Sequence, residues 1–178
     1  GHSIYSASKI AGDRLCRAYM KEQGLQVSVV RLFNSFGLHQ GPDSYGGVIA
    51  KFTKAALDGK PMQIYGSGEQ RRDYLWYEDS INAFLLALEK PFKEPINFGS
   101  GTTVSVNDIA MDILTLVKGD SKRAWIDSPI EHVAPRKGEV DCLRADASKA
   151  RALGWEPKTT FADGLEQYVN WAQRQGQA

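Results

Sequence analysis

Cysteine is scarce in this chain of 178 residues: Cys16 and Cys142 are the only two, far apart and in no metal-ligand spacing. Two thiols do not staple a chain of this size, which excludes a disulfide scaffold and fits a reducing compartment, so a cytoplasmic location is expected. Long apolar runs are missing as well. Nothing approaches the ~20 residues of a membrane span and no secretory leader opens the chain, so no membrane partner is expected. Nor is there an excess of one charge. Lys and Arg number 22 against 21 Asp and Glu, a net charge of +1, which leaves no broad field to attract nucleic acid. His2, His39 and His132 are scattered without ligand partners at helical spacing, and no metal site is expected. The chain opens on Gly1 and His2 without an initiator Met, and neither carries functional weight.

What is present is ordinary for one globular domain: 42% hydrophobic and 24% charged residues. Helical spacing of Ile10, Leu15, Ala18 and Tyr19 predicts a helix ending at Gly24. The Val-rich run from Val27 to Phe33 reads as a buried strand, followed by a Gly- and Pro-containing loop from Asn34 to Gly47. A helix over Val48–Leu57, a strand over Met62–Tyr65 and a turn at Gly66–Gly68 come next. A short aromatic strand at Tyr74–Tyr77 leads into a helix over Glu78–Leu88, and Ile96–Phe98 is a further strand. Ser105 with Asp108 has the form of a capping box opening a helix to Val117. Trp125 and Ile126 suggest a strand, Arg136–Glu139 a loop, Ala147–Leu153 a short helix and Phe161–Gln173 an amphipathic one. The four tryptophans read as core anchors, and Cys16 as packed. The pattern is mixed α/β, with fewer strands than a complete doubly wound sheet needs.

Tyr5 and Lys9 are one helical turn apart and project from one face. A phenol with a pKa of about 10 is a poor base near neutrality, and lowering it by ~3 units takes about 4 kcal/mol of preference for the phenolate. An ammonium one turn away, with a cationic nicotinamide ring nearby, can supply much of that. Alone, such a pair arises often by chance; its context decides.

That context is a series of segments in a fixed order. YSASK (5–9) before a helix and RLFNSFG (31–37) after a strand resemble the extended short-chain dehydrogenase/reductase family. So do IYGSGEQRRDYLWYED (64–79), INFGSG (96–101) and RKGEVDCLRADASKARALGWEP (136–157), and the similarity runs from Tyr5 to about Trp171. Each motif is weak singly; five in order are specific. The resemblance implies an NAD-dependent nucleotide-sugar epimerase or dehydratase that oxidises a sugar carbon transiently. It implies Tyr5 as the acid/base and Lys9 holding the nicotinamide ribose and depressing the tyrosine pKa, with Phe33 near the nicotinamide. On the nucleoside-diphosphate sugar it implies Asn34, Tyr65 packed on the nucleoside, Arg72 and Arg136 on the pyrophosphate, and Glu139 accepting from a ribose hydroxyl. Physical chemistry agrees for the last group: guanidinium forks match a diphosphate, a carboxylate accepts from both ribose hydroxyls, and Tyr65 offers an aromatic face. The plain alternative for Arg72 is a surface ion pair with its neighbour Asp73.

The departures carry weight too. The family's glycine-rich strand–turn–helix and its Ser or Thr upstream of the tyrosine have no counterpart here, and GSG (99–101) reads as a plain turn. Lys137 and Glu139 stand where Pro and Asp are more usual in the family. The expected fold is therefore the C-terminal part of an extended short-chain dehydrogenase/reductase, the last Rossmann elements plus a small substrate-binding domain, without the N-terminal dinucleotide-binding half. Residues 3–60 and 78–101 are expected to be mainly Rossmann, and 61–77 and 102–178 mainly substrate-binding. A chain of this kind is expected to be inactive by itself and to dimerise through the surfaces the missing half would cover. The alternative is a non-catalytic nucleotide-sugar binding or self-associating module from a truncated gene.

Overall fold

Helix α1 spans Ile4–Gln23 and buries none of its residues. The computed structural model describes residues 4–43, 47–119 and 130–176, so the Trp125–Ile126 strand lies outside the described residues. Charge rather than packing ties α1 down. Arg31 ion-pairs with Asp13, and Arg17 bridges Asp13 at 3.3 Å and Glu94 at 3.2 Å. The hydrogen bond from Arg31 holds the Asp13 carboxyl below the usual carboxylate range, against the effect of desolvation.

After α1 come strands β1 (Val30–Leu32) and β2 (Asn34–Phe36), helix α2 (Val48–Leu57) and strand β3 (Met62–Tyr65). Strands β4 (Arg71–Arg72) and β5 (Tyr74–Trp76) lead into helix α3 (Tyr77–Glu89) and strand β6 (Ile96–Phe98). Strand β7 (Val104–Ser105) runs into helix α4 (Val106–Lys118), where the capping box forms as the sequence indicates. Strands β8 (Ile130–Val133) and β9 (Cys142–Leu143) and helices α5 (Ser148–Ala152) and α6 (Phe161–Gln175) complete the described chain. Three pairings are parallel and two-stranded: β1 with β6, β2 with β5 and β3 with β8. In the fourth sheet β4 lies between antiparallel β7 and parallel β9.

Two apolar cores result, and β5 divides them. Its alternation sends Tyr74 and Trp76 into the larger core and Leu75 into the smaller. The larger core stacks α2, α4 and α6 over β3, through Ile49, Phe52, Ile64, Ile113, Leu165 and Val169. Phe36 meets Trp76 edge-on with centroids 5.3 Å apart. Gly164 lets α6 come close: a Cβ there would lie 2.8 Å from the Trp76 ring. The smaller core joins β6 to α3 and α5, with Phe98 edge-on to Trp155 at 5.1 Å. Trp76 and Trp155 are the core anchors the sequence suggests.

Burial also shapes the alkaline limb of stability. It pushes the Tyr74 phenol to about 12, against the pull of Arg72, and that of Tyr168 to about 12. Tyr168 donates to the Gln40 carbonyl at 2.6 Å, a bond only the protonated phenol makes. A pKa raised in the folded state contributes stability that is present below pH 10 and lost as the pH rises from 10 to about 12. In an ultraviolet phenolate titration these two tyrosines should ionise last, together with unfolding. Ionisation of all the tyrosines in one step near 10, with the fold intact, would contradict this burial.

Candidate functional site

The cleft begins with the alternation of β3. Met62 and Ile64 turn into the core, so Gln63 and Tyr65 face outward together. Strand β8 runs beside β3, and Gly66 N donates to Val133 O at 2.9 Å while His132 Nδ1 lies 2.7 Å from Gly66 O. This register delivers the next residues to the same edge. There the Arg136 guanidinium lies over the Tyr65 ring, 4.1 Å from its centroid. A turn follows, with Glu139 N donating to Arg136 O at 3.4 Å.

Arg72 fixes the far side of that turn. It donates to Val140 O at 2.6 Å and to Arg71 O at 2.9 Å, and its guanidinium lies 3.5 Å from the Glu139 carboxylate. The two side chains are only 16% and 26% exposed, so this pair is partly shielded from water. The plain alternative for Arg72, an ion pair with Asp73, does not form. The Asp73 carboxylate is fully buried and bonded elsewhere, because adjacent residues of an extended chain point to opposite faces.

Facing Tyr65 and Arg136 across a cavity of about 550 Å³ is one side of α2, with Val48, Lys51, Phe52 and Ala55 at helical spacing. Gln70 lines it too and donates to Tyr65 O at 2.9 Å. Among the described ion pairs, none involves Lys51 or Arg136. The cavity therefore offers two cations outside any described ion pair, an aromatic face, and a carboxylate paired on one oxygen with Arg72.

Tyr65, Arg136 and Glu139 line this one cavity, and Arg72 joins them through Glu139. Asn34 opens β2 opposite Tyr74 and donates to Asp73 O at 2.8 Å. Phe33, between β1 and β2, donates its N–H to Phe98 O at 3.0 Å. Tyr5 and Lys9 do share a face of α1, but Tyr5 is 72% exposed and the ammonium lies over its ring, 5.3 Å from the centroid. None of Tyr5, Lys9, Phe33 or Asn34 lines the cavity. Lys51 was not anticipated; the spacing of Val48, Lys51, Phe52 and Ala55 on one side of α2 is the signal that marks it.

A family model described as GDP-mannose 4,6 dehydratase matches residues 1–168. The low-salt glycan biosynthesis protein Agl12 of Haloferax volcanii is 35% identical over 168 residues, 94% of this chain and 51% of that protein. The crystal structure of UDP-glucose 4-epimerase with UDP-glucose from Thermotoga maritima superimposes with a TM-score of 0.88 at 32% identity, over 96% of this chain and 53% of that one. The dTDP-glucose 4,6-dehydratase of Bacillus anthracis in complex with NAD gives 0.86 at 32% identity, over 99% and 54%. The chain thus spans about half the length of the relatives it matches.

Proposed function

Because the chain belongs to the family described as GDP-mannose 4,6 dehydratase, we propose that it carries the nucleotide-sugar-binding part of an NAD-dependent epimerase or dehydratase. The observation that carries this reading is the convergence of Tyr65, Arg136, Lys51 and Glu139 on one cavity. These groups match the three parts of a nucleoside diphosphate. Tyr65 supplies a face for the base, Arg136 and Lys51 supply charge for the diphosphate, and Glu139 accepts from the ribose hydroxyls. With Arg72 neutralised by Glu139, Arg136 is the fork free to turn from the Tyr65 ring to the phosphates. Arg72 and Asn34 enter this reading through the family resemblance alone, since Arg72 is engaged by Val140 O and Glu139, and Asn34 lies outside the cavity and donates to Asp73 O.

For the chemistry, Tyr5 acts as the acid/base on a sugar hydroxyl, with Lys9 one turn away on the same face of α1. NAD, when bound, takes up the hydride from the same carbon. The residues fit one end of that cofactor only: Tyr5, Lys9 and Phe33 suit the nicotinamide side. The turn at Gly99–Gly101 cannot cradle its phosphates, since Ser100 N and Gly101 N both donate to Asp73 at 2.8 Å. The chain alone is thus proposed to bind the sugar nucleotide without turnover.

Isothermal titration with UDP-glucose, dTDP-glucose, GDP-mannose and NAD tests this. Heat from at least one sugar nucleotide and none from NAD is expected; silence from all three sugar nucleotides would overturn the reading.

Self-association belongs to the same proposal. Ile81, Phe84, Leu85 and Leu88 make an exposed stripe on α3, and Ile10, Leu15 and Tyr19 are exposed on α1. A symmetric dimer covering these faces would have a mass of about 39 kDa, twice the 19.7 kDa chain. Light scattering after size exclusion should show it, and a clean monomer at high concentration would count against it.

A further inference from the structure

Resting on the cleft reading above, we propose that Asp73 is a positioning residue that holds the Arg136–Glu139 side of the nucleotide-sugar site in place. Its side chain is fully buried and has no cation beside it among the described ion pairs. Such a carboxylate persists only where donors converge on it. Oδ1 accepts from Ser100 N and Ser100 Oγ, each at 2.8 Å. Oδ2 accepts from Gly101 N at 2.8 Å and Ala145 N at 3.0 Å. The backbone of Asp73 is engaged as well: its N–H donates to Leu143 O at 2.9 Å, and its carbonyl accepts from Asn34 Nδ2 at 2.8 Å.

Asp73 therefore joins four segments: β2, the link between β4 and β5, the turn after β6, and the chain leaving β9. The last of these matters most. It continues the segment that carries Arg136 and Glu139, whose register rests on a pairing of two residues with two, Arg71–Arg72 against Cys142–Leu143. So short a ladder holds little alone. Arg72 pins the middle of the segment through Val140 O, and Asp73 pins its end through Leu143 and Ala145. The close approach needs Gly99 too, since a Cβ there would collide with that of Ala145. Both oxygens of the side chain therefore have to accept. An asparagine would turn an N–H₂ toward donors that need an acceptor.

The test uses Asp73→Asn, Ser100→Ala and Arg136→Ala, titrated with UDP, dTDP and GDP well below each protein's unfolding temperature. Asp73→Asn should weaken the nucleotide that binds the unaltered chain at least tenfold, with faster amide exchange at Gly101, Leu143 and Ala145. Ser100→Ala removes one bond and should weaken it about threefold, which decides the matter if Asp73→Asn does not fold. A purely structural Asp73 would lower the melting temperature and leave affinity untouched. If Arg136→Ala weakens binding while the Asp73 and Ser100 variants that fold bind normally, the positioning role is overturned. If Arg136→Ala binds as the unaltered chain does, or nothing binds, the cleft reading fails instead.

Discussion

Replacing Arg136 with alanine should weaken nucleoside-diphosphate binding about thirtyfold, roughly 2 kcal/mol, while the fold stays intact. Arg136 makes no ion pair among the described residues, and the one described partner of its side chain is the exposed Tyr65 ring at 4.1 Å. Losing that stack costs the free protein less than about 1 kcal/mol at an exposed site. In the complex the loss is larger, because a planar fork facing a diphosphate is replaced by a methyl group. Lysine should restore only part of the affinity, having the charge without the fork. The unaltered protein should also lose affinity in salt more steeply than the alanine variant. Equal affinities, or equal salt slopes, would place the diphosphate elsewhere.

Asp79→Ala should destabilise the fold by about 3 kcal/mol without touching the cleft. Its buried carboxylate accepts from Lys158 N at 2.9 Å and Thr159 N at 3.1 Å, and its carbonyl accepts from Trp155 Nε1 at 3.2 Å. These bonds set the chain just before α6, whose Gly164 rests on Trp76. Alanine leaves two amide donors without an acceptor, at ~1–3 kcal/mol each. The expected fall in melting temperature is about 6–12 °C for a chain of this length. Asparagine keeps one acceptor and should recover part of it. A denaturant midpoint that moves by less than a tenth of the expected amount would mean that these donors find water.

Part of this architecture is legible without coordinates. Helix Val48–Leu57 and strands Met62–Tyr65 and Ile96–Phe98 fall where periodicity and breakers put them, and Ser105 and Asp108 cap α4 as their spacing implies. The strand predicted over Val27–Phe33 is shorter, Val30–Leu32, because only that stretch finds a partner in β6. Strands β2, β4, β8 and β9 are invisible locally. They are two to four residues long, rich in polar side chains such as Arg71, Arg72, Glu131 and His132, and exist only through partners far away in sequence. The site divides likewise. Tyr65 lies about seventy residues before Arg136 and Glu139 and is linked to them in the sequence only by family resemblance. Their meeting depends on the β3–β8 pairing. That Arg72 and Asp73 do not pair follows from their adjacency, since neighbours along an extended chain face opposite ways.

The pairings have a kinetic corollary. Val30 waits for Ile96, Met62 for Ile130 and Arg71 for Cys142, so none of these ladders can close while the chain is still short. A ribosome making this protein exposes α2 and β3, with Ile49, Phe52 and Ile64 uncovered, well before Ile113 and Leu165 arrive to cover them. Folding of such non-local sheets is intrinsically slow, and the waiting intermediate presents apolar surface to its neighbours. Yield on expression should therefore depend on chaperone supply and temperature more than on the stability of the finished fold.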